Sequence, residues 1–194
     1  MFVVGFCGYS GSGKTTLIEA LLKEFARRGL RVSVIKHAHH GFELDHPGKD
    51  SWRHRKAGAF EVLVASPHLL ALQRETPQAQ EYEPGDLLRR LDPVDWVFVE
   101  GFRQSAIPKI EVWRAAAGKS WRWPSDATVL ALASDGTSPS GEDSAAEGAE
   151  AAEAGDAALA RGSRHPVVLD LQNPRGISDW LIAHCRYFIF KPES

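Results

Sequence analysis

Gly8-Tyr9-Ser10-Gly11-Ser12-Gly13-Lys14-Thr15 reads G-x-x-x-x-G-K-T, the spacing of a loop that wraps a phosphate chain. A polyphosphate packs several negative charges into a few ångströms, so the backbone must approach it with N–H groups rather than bulky side chains. Gly8, Gly11 and Gly13 remove the Cβ atoms that would obstruct this, and they permit positive φ where the loop curls. In this reading Ser10 and Ser12 complete the cradle, Lys14 reaches the β- and γ-phosphates, and the Thr15 hydroxyl ligates Mg²⁺, with Thr16 beside it.

The flanks agree with the loop. Phe2–Cys7 is an apolar run with the length and branching of a buried parallel strand. Residues 16–28 carry Leu17, Ile18, Leu21, Leu22 and Phe25 at helical spacing, closed by Arg27, Arg28 and Gly29. Strand, glycine loop and helix come in the order that directs a helix N-terminus at an anion.

Further strands are expected at 30–36, 94–101, 127–133 and 166–170, with a half-buried, alternating one at 109–114. Segments 60–65 and 68–74 read as an antiparallel pair about Ser66-Pro67. Helices are expected over 51–59 with Asp50 or Ser51 as N-cap, over 86–91, and over 176–185. Strands alternating with helices imply an α/β fold in three layers, with a mostly parallel sheet and some antiparallel strands. We read the chain as a single domain of this kind with an acidic Ala/Gly/Ser-rich insert at about 136–164, expected to be flexible.

Composition sets the ligand class. The 194 residues are 43% hydrophobic and 25% charged, ordinary for a globular domain. The net charge is −2, but residues 140–160 hold six acids and no base, which leaves the remainder at +4. That mild positive charge suits a small anion rather than nucleic acid. No apolar run approaches the roughly 18–20 residues of a membrane span. The short first strand lacks a basic leader, so no signal peptide is expected. Cys7 and Cys185 do not form a disulfide framework, and a reducing cytoplasm is the expected setting.

Ligands of open parallel sheets bind at the carboxyl ends of the strands. Asp95 and Glu100 bracket one strand, about 16 Å apart at ~3.3 Å per residue, so only Glu100 can approach the loop and serve Mg²⁺. Gly101 lets backbone come close to phosphate. Lys36, His37, His39 and His40 end the second strand at the same edge, for phosphate or substrate contact; a metal ion on the three histidines, which the Lys36 charge disfavours, and a solvated loop are the alternatives. Asp50 is a candidate for positioning water or magnesium, Arg53 for a cation on the phosphate side, and His54 for a ligand or a surface residue. Asp135 ends another strand and is a candidate acceptor for a guanine base, although the flanking Asn/Thr-Lys pattern is missing.

The segments GYSGSGKTTL (8–17), VIKHAHH (34–40), GKDSWRHRKAGA (48–59), VFVEGFR (97–103) and PKIEV (108–112) together resemble the molybdopterin-guanine dinucleotide biosynthesis protein B family. The resemblance runs over residues 2–114. It implies a GTP-binding P-loop protein with weak GTPase activity, usually a homodimer, working beside the guanylyltransferase of molybdenum cofactor assembly. Molybdopterin or molybdoenzyme apoproteins are further implied partners. Carried over, Gly11, Gly13, Lys14, Thr15 and Thr16 hold phosphates and Mg²⁺, Glu100 and Gly101 form the second nucleotide motif, and Asp50 falls in a switch-like segment. Two rivals use the same loop: a small-molecule P-loop kinase, and a metal-delivery GTPase switch with His37, His39 and His40 as ligands.

Overall fold

The structure, a computed structural model, describes residues 1–38, 41–76, 78–117, 119–136 and 166–190. Two compact units emerge from the contacts, one formed by Met1–His37 with Glu83–Ser194 and the other by Ala38–Tyr82.

The larger unit is built on a six-stranded sheet, β1 (Phe2–Cys7), β2 (Val32–Lys36), β5 (Trp96–Glu100), β6 (Lys109–Trp113), β7 (Val129–Ser134) and β8 (Val167–Asp170). Their spatial order is β2-β5-β1-β6-β7-β8, and every neighbouring pair is parallel. Because side chains alternate, β1, β2 and β5 each feed two cores. Val4, Phe6, Trp96, Phe98, Ile110 and Val112 meet helices α1 (Lys14–Arg27) and α4 (Pro174–Ala183) on one face. Val3, Val97, Val99 and Ile35 meet Leu88 of the short helix α3 (Pro84–Leu88) on the other. These are the expected three layers with a mostly parallel sheet. The antiparallel pair is present as well: β3 (Glu61–Ala65) and β4 (Leu70–Arg74) form a separate two-stranded sheet in the smaller unit, beside α2 (Asp50–Lys56).

Several expected edges move by one to three residues. The cap of α2 is Lys49, with Asp50 as its first residue, and no side chain caps it. Helix α3 begins two residues earlier, where Pro84 takes a first-turn position that needs no N–H. Helix α4 starts at Pro174 because the Asn173 side chain accepts from Gly176 N at 2.9 Å. At the entry to β5, the Asp95 carboxylate accepts from Arg31 N at 2.7 Å and steadies the entry to β2.

The larger correction concerns β6. It is buried at all five positions, not half-buried, because β1 and β7 flank it and its polar face is covered too. Lys109 and Glu111 therefore lie inside the protein, and Gly5 makes room for the Lys109 stem, which would lie 3.0 Å from a Cβ there.

Cys7 is buried at the end of β1, as its place in a core strand predicts. Burial, aided by the Glu111 carboxylate, pushes its thiol up to about 12. Alkylation of native protein at pH 8 is expected to label the partly exposed Cys185 while sparing Cys7, which reacts only after denaturation. Peptide mass mapping of the two states checks this; early modification of Cys7 contradicts it.

The 136–164 insert and the histidines His39 and His40 lie, apart from Gly136, outside the described residues.

Candidate functional site

The glycine loop leaves the carboxyl end of β1 and enters α1. Gly8 (φ 137°), Gly11 (φ 80°) and Gly13 (φ 94°) all take the left-handed side of φ that side chains resist. At Gly8 the reason is contact as well as torsion: a Cβ would lie 2.3 Å from the Val112 carbonyl oxygen. Gly13 is the N-cap of α1, and no side chain caps that helix. The leading N–H groups of α1 thus carry no intrahelical acceptor and face outward with the positive end of the helix dipole. Ser10, Thr15 and Thr16 are exposed, whereas Ser12 is buried with a hydroxyl lacking any hydrogen-bond partner among the described residues.

Lys14 reaches back over the loop and donates to the carbonyls of Gly8 (3.1 Å) and Tyr9 (2.7 Å). Burial lowers its pKa, with Glu100 pulling the other way. Sheet register then assembles a second group. Phe6 pairs with Glu100, and Glu100 with Lys36, so the ends of β1, β5 and β2 are level. The Thr15 hydroxyl donates to Glu100 Oε1 at 2.9 Å, and Lys36 Nζ lies 3.7 Å from Oε2 of the same carboxylate. Thr15, Glu100 and Lys36 are brought together as the strand-end rule anticipates.

His37 continues from β2, its N–H donating to the Glu100 carbonyl at 2.9 Å and its ring stacked on Phe102 at 4.4 Å. Gly101 (φ 100°) proves necessary for this packing, since a Cβ would come within 2.8 Å of the His37 Cβ. Phe102 itself is held at φ 48°, the one non-glycine residue with positive φ among those described. No cluster of three or more His, Cys, Asp or Glu suited to a metal ion occurs among the described residues. Asp50 and Arg53 belong to the smaller unit, where they pair across 3.7 Å on the exposed side of α2, and His54 follows on the same helix.

On the other side of β1 the structure adds residues that the sequence reading missed. Arg114 directly follows β6, and its Nε donates to the Ser12 carbonyl at 3.2 Å. Lys119 and Arg122 lie over the Tyr9 ring, 4.6 and 4.5 Å from its centre. The buried Glu111 carboxylate accepts from the N–H groups of Arg122 and Trp123, all at 3.0 Å, while burial raises its pKa. Asp135, at the end of β7, accepts from Ala115 N at 3.4 Å. The strand-end rule that selected Glu100 would also have selected Arg114, had β6 been read as a central strand.

The model of a protein family described as "Molybdopterin guanine dinucleotide synthesis protein B" matches residues 3–135, a span that ends at Asp135. A molybdopterin-guanine dinucleotide biosynthesis adapter protein of Escherichia coli is 42% identical over 136 residues, 69% of this chain and 78% of that protein. The adapter protein of Haemophilus influenzae is 48% identical over 110 residues, 56% of this chain and 61% of that protein. Two solved structures share the fold. The MobB protein of Bacillus subtilis aligns with a TM-score of 0.63 at 20% identity over 98% of this chain and all of that one. The MobB homolog of Bacillus stearothermophilus aligns with a TM-score of 0.57 at 24% identity, covering 96% and 99%. With the family model spanning well over half of its length, this chain belongs to the molybdopterin guanine dinucleotide synthesis protein B family.

Proposed function

We propose that the chain binds GTP with Mg²⁺ in the loop at residues 8–15, hydrolyses it slowly, and acts as an adapter in molybdopterin guanine dinucleotide biosynthesis. The observation that carries this reading is the convergence of Lys14, the uncapped N-terminus of α1 and the Thr15–Glu100 hydroxyl–carboxylate pair at 2.9 Å. Two hard oxygen donors beside an anion cradle suit Mg²⁺, which keeps several waters and bridges to phosphate. Gly8, Ser10, Gly11, Ser12, Gly13 and Thr16 complete the cradle. Lys36 and His37 flank it through the register of β2 with β5. Asp135 supplies the carboxylate for guanine, and Asp50 and Arg53 are the candidates carried by the switch-like segment.

In hydrolysis, a water oxygen attacks the γ-phosphorus in line while the bond to the β–γ bridging oxygen breaks, giving GDP and phosphate. Lys14 and the loop N–H groups stabilise the charge that moves onto the transferred group and the leaving oxygen. Thr15 and Glu100 would hold a magnesium ion, which would supply neutralisation of phosphate charge.

The adapter reading rests on the family and on the names of its relatives, and it makes the guanylyltransferase the expected partner, with molybdopterin or molybdoenzyme apoproteins downstream. A homodimer is supported by the β3–β4 sheet. Leu63 and Leu72 are paired across the strands, Leu70 lies on the same face, and these three are 62%, 53% and 67% exposed. A two-stranded sheet with an apolar open face is marginal alone, and a second copy would cover it.

Calorimetry of GTP against ATP, each with Mg²⁺, tests the reading. The expected result is GTP binding at least about tenfold tighter, with Asp135→Asn removing most of that preference, about one charge-assisted hydrogen-bonded pair. An ATP preference overturns the guanine assignment, and no binding of either nucleotide overturns the site. Replacing both Leu63 and Leu72 by Glu is expected to shift the sedimentation coefficient from dimer to monomer.

A further inference from the structure

The two sides of β1 carry different chemistry at their carboxyl ends. On the β5 side stand Thr15, Glu100 and Lys36, the oxygen pair and cation suited to a hydrated metal and terminal phosphates. On the β6 side stand Arg114 and, one strand further, Asp135. The pairing of Trp113 with Ser134 makes the next residues of both strands, Arg114 and Asp135, level with each other. The bond from Ala115 N to Asp135 ties them together.

Arg114 is an electrostatic oddity. Its guanidinium comes within 3.3 Å of where a Gly13 Cβ would stand, at the positive end of α1 and on the loop that Lys14 also covers. Among the described residues it forms no ion pair, and neither do Lys119 and Arg122 over the Tyr9 ring. Cations held close together without a direct ion pair favour the arrival of an anion. A linear nucleotide with its terminal phosphates on the β5 side must run its nucleoside end toward β6.

Resting on the GTP reading above, we propose that Arg114 is the nucleoside-side contact of the site. One edge of its guanidinium holds the loop through Ser12, and its plane meets the α-phosphate and the face of the purine that Asp135 reads by its edge. Arginine suits both tasks because the fork donates to phosphate while the flat face stacks on aromatic rings.

Inorganic tripolyphosphate separates this role from a general phosphate role, because it has the phosphates without the nucleoside. Binding of GTP and of tripolyphosphate, each with Mg²⁺, is measured by calorimetry for the unaltered chain, Arg114→Ala and Arg114→Lys. The lysine variant keeps a donor for Ser12 and so guards against simple loss of the loop. The expected result is GTP affinity lowered about tenfold or more in both variants, with a clearly smaller loss for tripolyphosphate, which keeps the phosphate contact and lacks the purine. Equal losses for both ligands, or no loss for either, overturn the nucleoside-side assignment while leaving the phosphate site standing. Full GTP affinity in Arg114→Lys shows that charge alone suffices and overturns the planar contact. Failure of the unaltered chain to bind either ligand removes the nucleotide reading itself, and this inference with it.

Discussion

Replacing Lys14 with alanine is expected to weaken GTP binding at least about 100-fold, near 3 kcal/mol, while leaving the fold intact. The ammonium group is the one side-chain cation that the motif places over the loop, and its hydrogen bonds to Gly8 and Tyr9 show that it spans the concave side. Charge-assisted bonds to phosphate in a partly desolvated site are about twice as strong as neutral ones. The stability side has the opposite sign. Burial lowers the Lys14 pKa, so the folded chain holds this proton less firmly than the unfolded chain at any pH below the folded value. Its charge is thus a cost to folding at neutral pH, and alanine relieves it. Unchanged circular dichroism with lost calorimetric heat is the expected pair of observations; retained affinity would sink the phosphate site.

The largest effect on stability is expected from Lys109→Ala. The side chain is fully buried, donates to the Ser105 carbonyl and the Thr128 hydroxyl, and lies 3.6 Å from the Asp126 carboxylate. Its removal opens a cavity beside Gly5 and leaves a buried carbonyl and a carboxylate without their cation, worth about 3–5 kcal/mol. For a chain of this size that is a fall in Tm of roughly 6–20 °C, measurable by calorimetric scanning. Asp126→Asn should cost less, because a quarter of that side chain is exposed and water can replace the lost partner.

The acid limb adds a check. Burial pushes the Asp126 carboxyl up, but the bonds donated by Thr128 and the Lys109 charge outweigh it and hold it below the usual carboxylate range. A depressed acid stabilises above its unfolded value, near 3.9, and that contribution is lost as the pH falls through the lower folded value. The buried Glu111, whose pKa is raised, works the other way and gains stability as it protonates. The unaltered chain is therefore expected to lose the Asp126 contribution only below about pH 4, and Lys109→Ala to show a smaller loss there. An equally steep acid limb in the variant contradicts the pairing.

What was legible in the sequence follows from local rules. The loop at 8–15 could be read because its glycines, lysine and threonine act through backbone torsion and short-range charge. Glu100 could be chosen over Asp95 by counting residues along one strand. The paired strands at 60–74 were readable because a short turn allows one pairing. The alternation at Lys109-Ile110-Glu111-Val112 misled, since period two reports which side chains share a face and says nothing about what covers each face.

The residues on the β6 side were decided by the tertiary structure. Arg114 is 100 residues from Lys14 in sequence, and only the order β5-β1-β6-β7 brings it against Ser12 and level with Asp135. Tyr9 looks like a spacer in the motif until Lys119 and Arg122 arrive over its ring. The sequence by itself determined that an anion cradle stands between a buried strand and a helix, because bonds within a few residues encode it. The neighbours of that cradle were settled by strand order and register, which depend on contacts across the whole sheet and on loop closures that no local pattern records.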